Sequence, residues 1–140
     1  MSTPRSALAG AVALAALAAA GAAQGAPDAL RGEQVYTRCV ACHALAQDRV
    51  GPRHCGLLGR RAGSLPGFNY TQAMKNSGLT WDEKTLDLFL KQPMKVVPGT
   101  AMTYDGIAEP RDRADLIAYL KQANQTPECR AAAARSPRQR

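Results

Sequence analysis

The sequence predicts an all-α domain in which long irregular loops join three main helices. Three observations predict it. Apolar residues recur at helical spacing near both ends of the central region, a helix-capping signature stands between them, and no segment alternates as a strand would. The 140 residues give room for one small domain, and no internal repeat or second domain is visible. With 46% hydrophobic and 21% charged residues, long disorder, collagen-like repeats and multi-span membrane architecture are excluded.

The elements follow in order. Gly32, Val35, Tyr36 and Cys39 fall at i, i+3, i+4 and i+7, which predicts a helix over about 31–44. A stretch rich in Gly, Pro and Arg runs from about 45 to 69. Residues 71–76 suit a short helix ended by Gly78. Thr80-Trp81-Asp82-Glu83 has the form of a capping box, with Thr80 and Glu83 as its partners, and opens a helix to about Lys91, before Pro93. Residues 93–110 read as irregular. Pro110 suits the first position of the last helix, in which Leu116, Tyr119, Leu120 and Ala123 repeat the apolar stripe. Residues 130–140 read as a basic, flexible tail.

Two such long loops argue against the assignment for so small a domain. The conflict disappears if the loops wrap a large apolar group that is not protein. Aromatic residues are only 5% of the chain, thin material for an interior made of side chains alone.

Cys39-Val40-Ala41-Cys42-His43 is a C-x-x-C-H box. On a helix, positions i, i+3 and i+4 share a face. Two thiols there can bond the two vinyl groups of a heme while the next imidazole reaches the iron. A thioredoxin-like dithiol is the first alternative, but no βαβ pattern surrounds the box. A zinc site is the second; it needs a fourth ligand, with Cys55 or His54 the nearest candidates.

The chain resembles the class I c-type cytochromes of the soluble mitochondrial and bacterial kind over nearly all of residues 31–124. The resemblance rests on the Cys39–His43 box, Val50-Gly51-Pro52, residues 56–60, residues 66–71, Gly78-Leu79-Thr80-Trp81, Pro98-Gly99-Thr100-Ala101-Met102 and residues 115–120. It implies a single small cytochrome c domain of three main helices, short helices and long loops wrapped around one heme c, bound through Cys39 and Cys42. It implies His43 and Met102 as the axial iron ligands. A soft thioether favours ferrous iron, so such a pair raises the reduction potential. Met102 lies 59 positions beyond His43 in an irregular loop, far enough to cross to the other face; the competitors Met74 and Met94 read as apolar packing.

The resemblance also implies that the Pro52 carbonyl accepts from the proximal imidazole. It implies that Arg60, Tyr70 and Trp81 surround a buried propionate, which needs donors. Gly32, Val35 or Tyr36, Leu116 and Tyr119 match the crossing of the first and last helices. Met74 and Phe89 depart from the family pattern, where Asn and Tyr are common, and remove polar groups near the heme.

Cys55 and Cys129 are left over, and two spare thiols in an oxidising compartment point to one disulfide; the alternative is two unrelated buried thiols. His54 stands two residues past Pro52, on the side His43 already serves, and reads as local packing or hydrogen bonding.

Arg5, the apolar run from Ala7 to Ala23 and the small residues around Gly25 read as a signal peptide cut after Gly25. A retained anchor is the alternative, but the run falls short of the ~20 apolar residues a spanning helix needs. The organisation expected is a cleaved signal peptide at 1–25, a cytochrome domain at 26–129 and the tail at 130–140. The formal charge is +7, but residues 26–129 hold 13 Lys and Arg against 11 Asp and Glu. No nucleic-acid motif is present, so nucleic acid is not expected as a partner.

These readings imply a soluble, monomeric periplasmic electron carrier, not an enzyme, without stable membrane insertion. Its partners would be a quinol-oxidising complex, a terminal oxidase or a periplasmic dehydrogenase, met at an exposed heme edge that, as the resemblance implies, is flanked by the Cys42 side and by loop residues near Ala101 and Thr103. The alternative function is a heme peroxidase or small-gas sensor that works when the Met ligand leaves the iron.

Overall fold

A computed structural model describes residues 25–135. The expected signal peptide, apart from Gly25, and the last five residues of the tail lie outside the described residues.

Helix α1 spans Ala29–Tyr36, opened by the Asp28 carboxylate, which accepts from the amides of Leu30 and Arg31 at 2.9 and 3.4 Å. It stops well before the expected end near residue 44. The Thr37 hydroxyl donates to the Gln34 carbonyl at 2.7 Å, and the chain tightens into i→i−3 turns, Arg38 to Val35 and Cys39 to Tyr36. A threonine that bonds its own backbone competes with helix continuation.

Helix α2 is Gln72–Lys75, within the expected 71–76, and is capped by the Thr71 hydroxyl. Helix α3 is Glu83–Lys91, but its reciprocal cap joins Asp82 and Thr85 rather than Thr80 and Glu83. Thr85 N donates to Asp82 Oδ1 at 2.7 Å, and Asp82 N donates to Thr85 Oγ1 at 2.9 Å. Thr80 lies two residues ahead of this cap, and its carbonyl accepts from the Thr85 hydroxyl at 2.6 Å. Helix α4, Pro93–Val96, interrupts a stretch expected to be irregular; Pro93 opens it. Helix α5 is Pro110–Ala123, with Pro110 in its first turn as expected.

Helix α6, Pro127–Arg135, corrects the expectation of a flexible tail beginning at Arg130. Pro127 starts it, Glu128 complements its N-terminal dipole, and four successive alanines propagate it. Its buried residues are Cys129 and Ala132, and Cys129 is bonded to Cys55 with the Cα atoms 4.7 Å apart.

No strand is present among the described residues, so the fold is all-α as predicted. Helices α1 and α5 cross at Gly32, where a Cβ would overlap the Asp115 carbonyl. Helix α3 joins α5 through the Asp87–Arg113 ion pair at 2.7 Å. Asp115 is fully buried beside the crossing, with Arg111 Nε at 3.0 Å, Arg31 Nε at 3.5 Å and the Asp28 amide donating at 2.7 Å. The main core gathers Val35 and Tyr36 of α1, Leu86 and Phe89 of α3, Leu116 and Leu120 of α5, and Leu57, Trp81, Val97 and Ile107 from the loops. The helices supply most of this apolar interior and the loops the rest.

Candidate functional site

Cys39 to His43 forms one tight turn, in which Cys42 N and His43 N both donate to the Cys39 carbonyl, at 3.1 and 2.9 Å. Both thiols are free; Cys39 packs on the main core and Cys42 is exposed. Burial raises the Cys39 pKa, with the Arg38 guanidinium opposing it.

His43 is buried, and its Nδ1 lies 2.8 Å from the Pro52 carbonyl oxygen. A carbonyl can only accept, so Nδ1 carries the proton and Nε2 keeps its lone pair. Burial lowers the imidazole pKa against the opposing pull of Pro52, which favours the neutral ring that metals bind. Gly51 makes this approach possible: a Cβ there would run into the His43 ring. The Gly51 amide donates to the Cys42 carbonyl at 2.7 Å, tying the proline loop to the cysteine turn.

Met102 sits half-buried in the irregular loop, packed on the same core as Cys39. Its amide donates to the Thr100 hydroxyl at 3.2 Å, and buried Thr100 in turn donates to the Val97 carbonyl at 3.0 Å. Of its competitors, Met74 is buried core on α2 and Met94 is 46% exposed on α4.

Arg60, Tyr70 and Trp81 come from the two loops that the Arg61–Thr80 bridge holds together. Trp81 N donates to the Arg60 carbonyl at 2.9 Å, and the buried indole lies 5.0 Å from the Phe89 ring. Arg60 Nη1 and Nη2 donate to the carbonyls of Cys55 and Arg53, at 3.3 and 3.0 Å. Its Nε is buried without a partner among the described residues. Burial lowers the Arg60 pKa and raises that of Tyr70, which the Arg60 charge partly offsets. A buried guanidinium nitrogen without an acceptor is costly, and a carboxylate is the group that would relieve it.

These residues fit an iron porphyrin with carboxylate arms: two thiols on one turn, an imidazole with Nε2 available, a thioether, and an unsatisfied guanidinium nitrogen. The zinc alternative loses Cys55 to the disulfide, and no group of three or more His, Cys, Asp or Glu among the described residues is placed to hold a metal ion. Met74 and Phe89 are buried, as the departures from the family pattern imply, and make this interior less polar. The His54 contacts had no signal in residue spacing. They join loop and helix across the fold and include a stack on His43, with centroids 4.3 Å apart.

A family model described as cytochrome c matches residues 29–124. The chain is 52% identical over 109 residues to cytochrome c2 of Rhodomicrobium vannielii, covering 76% of this chain and 87% of that protein. It is 43% identical to cytochrome c2 of Blastochloris viridis over 111 residues, covering 77% and 87%. Among solved structures, cytochrome cH from Methylobacterium extorquens superposes with a TM-score of 0.67 at 44% identity, covering 68% of this chain and 98% of that one.

Proposed function

Because the chain belongs to the cytochrome c family, we propose that it is a soluble periplasmic carrier of single electrons whose iron is held between His43 and Met102. The cofactor is heme c, which when bound supplies the ferric–ferrous couple. Cys39 and Cys42 anchor it. The observation that carries the reading is the 2.8 Å bond from His43 Nδ1 to the Pro52 carbonyl. That bond sets the tautomer, raises the ring's basicity and leaves Nε2 to the iron.

Met102 supplies a soft donor that favours ferrous iron. With both axial positions taken, no substrate site is needed, which suits a carrier rather than an enzyme. Arg60, Tyr70 and Trp81 hold a propionate. Cys42, Ala101 and Thr103 are all exposed, in keeping with an electron path at that edge.

The Cys55–Cys129 disulfide suits an oxidising compartment, and the amino-terminal segment suits export. Cleavage after Gly25 keeps the Ala26 carbonyl, which accepts from Arg111 Nη2 at 2.8 Å, and removes the Gly25 carbonyl, which accepts from Nη1. No helix among the described residues is long and apolar enough to cross a membrane. The working form is a monomer that meets a quinol-oxidising complex, a terminal oxidase or a periplasmic dehydrogenase.

A reduced-minus-oxidised spectrum with intact mass, taken on the exported protein, tests the reading. The expected result is a mass gain of one heme, low-spin iron and a far-red Met–iron band in the oxidised form. High-spin resting iron would favour the peroxidase or gas-sensor alternative, and colourless protein would overturn both.

A further inference from the structure

The face of the His43 ring is covered by a second imidazole. His54 stacks on it with centroids 4.3 Å apart and planes 23° from parallel. A leucine would fill such a space without the penalty of burying a polar ring. What a histidine adds is a flat face and a hydrogen bond. The bond is made: His54 Nδ1 and the Tyr36 hydroxyl lie 3.1 Å apart. Tyr36 is itself fixed in the crossing of α1 and α5, its ring 5.2 Å from that of Tyr119.

The backbone under His54 is held as firmly as the ring. Its amide donates to the Ala44 carbonyl at 3.1 Å, and its carbonyl accepts from Asn124 Nδ2 at 3.2 Å. The next residue, Cys55, is bonded to Cys129 of α6. The His43 ring, by contrast, has one hydrogen bond at one corner, to Pro52. A single such bond leaves the ring free to swing about it; a plane laid against the ring does not.

We infer that His54 is a positioning residue: its stack on His43 sets the plane of that ring, and Tyr36 locks the stack in place. The inference rests on the reading of His43 as an iron ligand. The plane of an axial imidazole determines which iron d orbital its π electrons meet. Ferric EPR g values and the spread of heme-methyl NMR shifts report that plane, whereas simple loss of stability leaves them unmoved.

The test compares exported holoprotein of the wild type with His54→Leu, His54→Phe and Tyr36→Phe. The expected result is that all retain one heme and the far-red Met–iron band. His54→Leu moves the g values and the methyl spread most, Tyr36→Phe moves them less and in the same direction, and His54→Phe, which keeps a flat face, stays nearest the wild type. Unchanged g values and methyl shifts in His54→Leu overturn the inference. If that variant does not accumulate, unchanged spectra in both of the others overturn it. A wild type without the low-spin signature and far-red band sinks the ligand reading and the inference with it. A wild type that has them beside an unaltered His54→Leu sinks the inference alone.

Discussion

Gly32 and the Asp115 carbonyl meet where α1 crosses α5, so closely that no Cβ fits between them. The same Cβ would lie 2.8 Å from Cβ of Tyr119, so neither helix has a flexible atom to yield. Gly32→Ala must therefore part the helices. We expect it to lower stability by about 3 kcal/mol, at the upper end of overpacking effects, measured by denaturant unfolding of the heme-loaded protein. An unchanged midpoint would show that the crossing is looser than the geometry requires.

Met102→Ala removes the thioether from a loop whose backbone is held independently by Thr100 and Val97. The loop should stay in place and the ligand alone should go. The oxidised protein is expected to lose its far-red band, and its reduction potential is expected to fall, since the donor that favours ferrous iron is gone. Retention of the band would assign the distal ligand to another residue.

Asp115 predicts a pH dependence. Burial alone would raise its pKa, but the Asp28 amide and the Arg111 and Arg31 guanidiniums outweigh that and hold it below the usual aspartate range. A carboxyl lowered in the folded state contributes stability above its unfolded pKa, and that contribution is lost as pH falls through the folded value. Stability should therefore decline on acidification from the ordinary aspartate range downward. Asp115→Asn should be less stable at neutral pH and show a flatter acid limb in an unfolding series against pH. An equally steep limb in the variant would assign the acid sensitivity elsewhere.

The Cys55–Cys129 bond closes a long loop, with 74 positions separating its ends. In the chain-entropy account, replacing both cysteines by alanine is expected to cost about 4 kcal/mol. Both are buried, so a mild reductant should leave the native bond intact until the protein opens. Equilibrium unfolding of the double variant, with its heme spectrum as a check on the site, measures this. Equal stability in the two proteins would mean that α6 docks without help.

What could be read from the residues alone was whatever depends on short spacing. The box at Cys39–His43, the stripes of α1 and α5 and the Pro110 start all lie within a few residues of one another. Two features escaped for a common reason: their partners are far apart in the chain. Helix α6 buries only Cys129 and Ala132, too narrow a stripe to register as amphipathic, and a covalent bond to a distant loop holds it down. His54 finds Tyr36 and His43 only after the loop has folded back. The cap of α3 was misread by two residues because Thr80 and Glu83 match the familiar pattern, while Asp82 and Thr85 make the reciprocal bonds.

The seating of α6 bears on how this molecule matures. The unfolded chain presents four thiols, and of the six single pairings they allow only that of Cys55 with Cys129 leaves both Cys39 and Cys42 reduced for the vinyl groups. By carrying Cys129 to its mate, α6 keeps that pair of thiols from cross-linking to the two on the turn, a mismatch that would deny a heme its attachment.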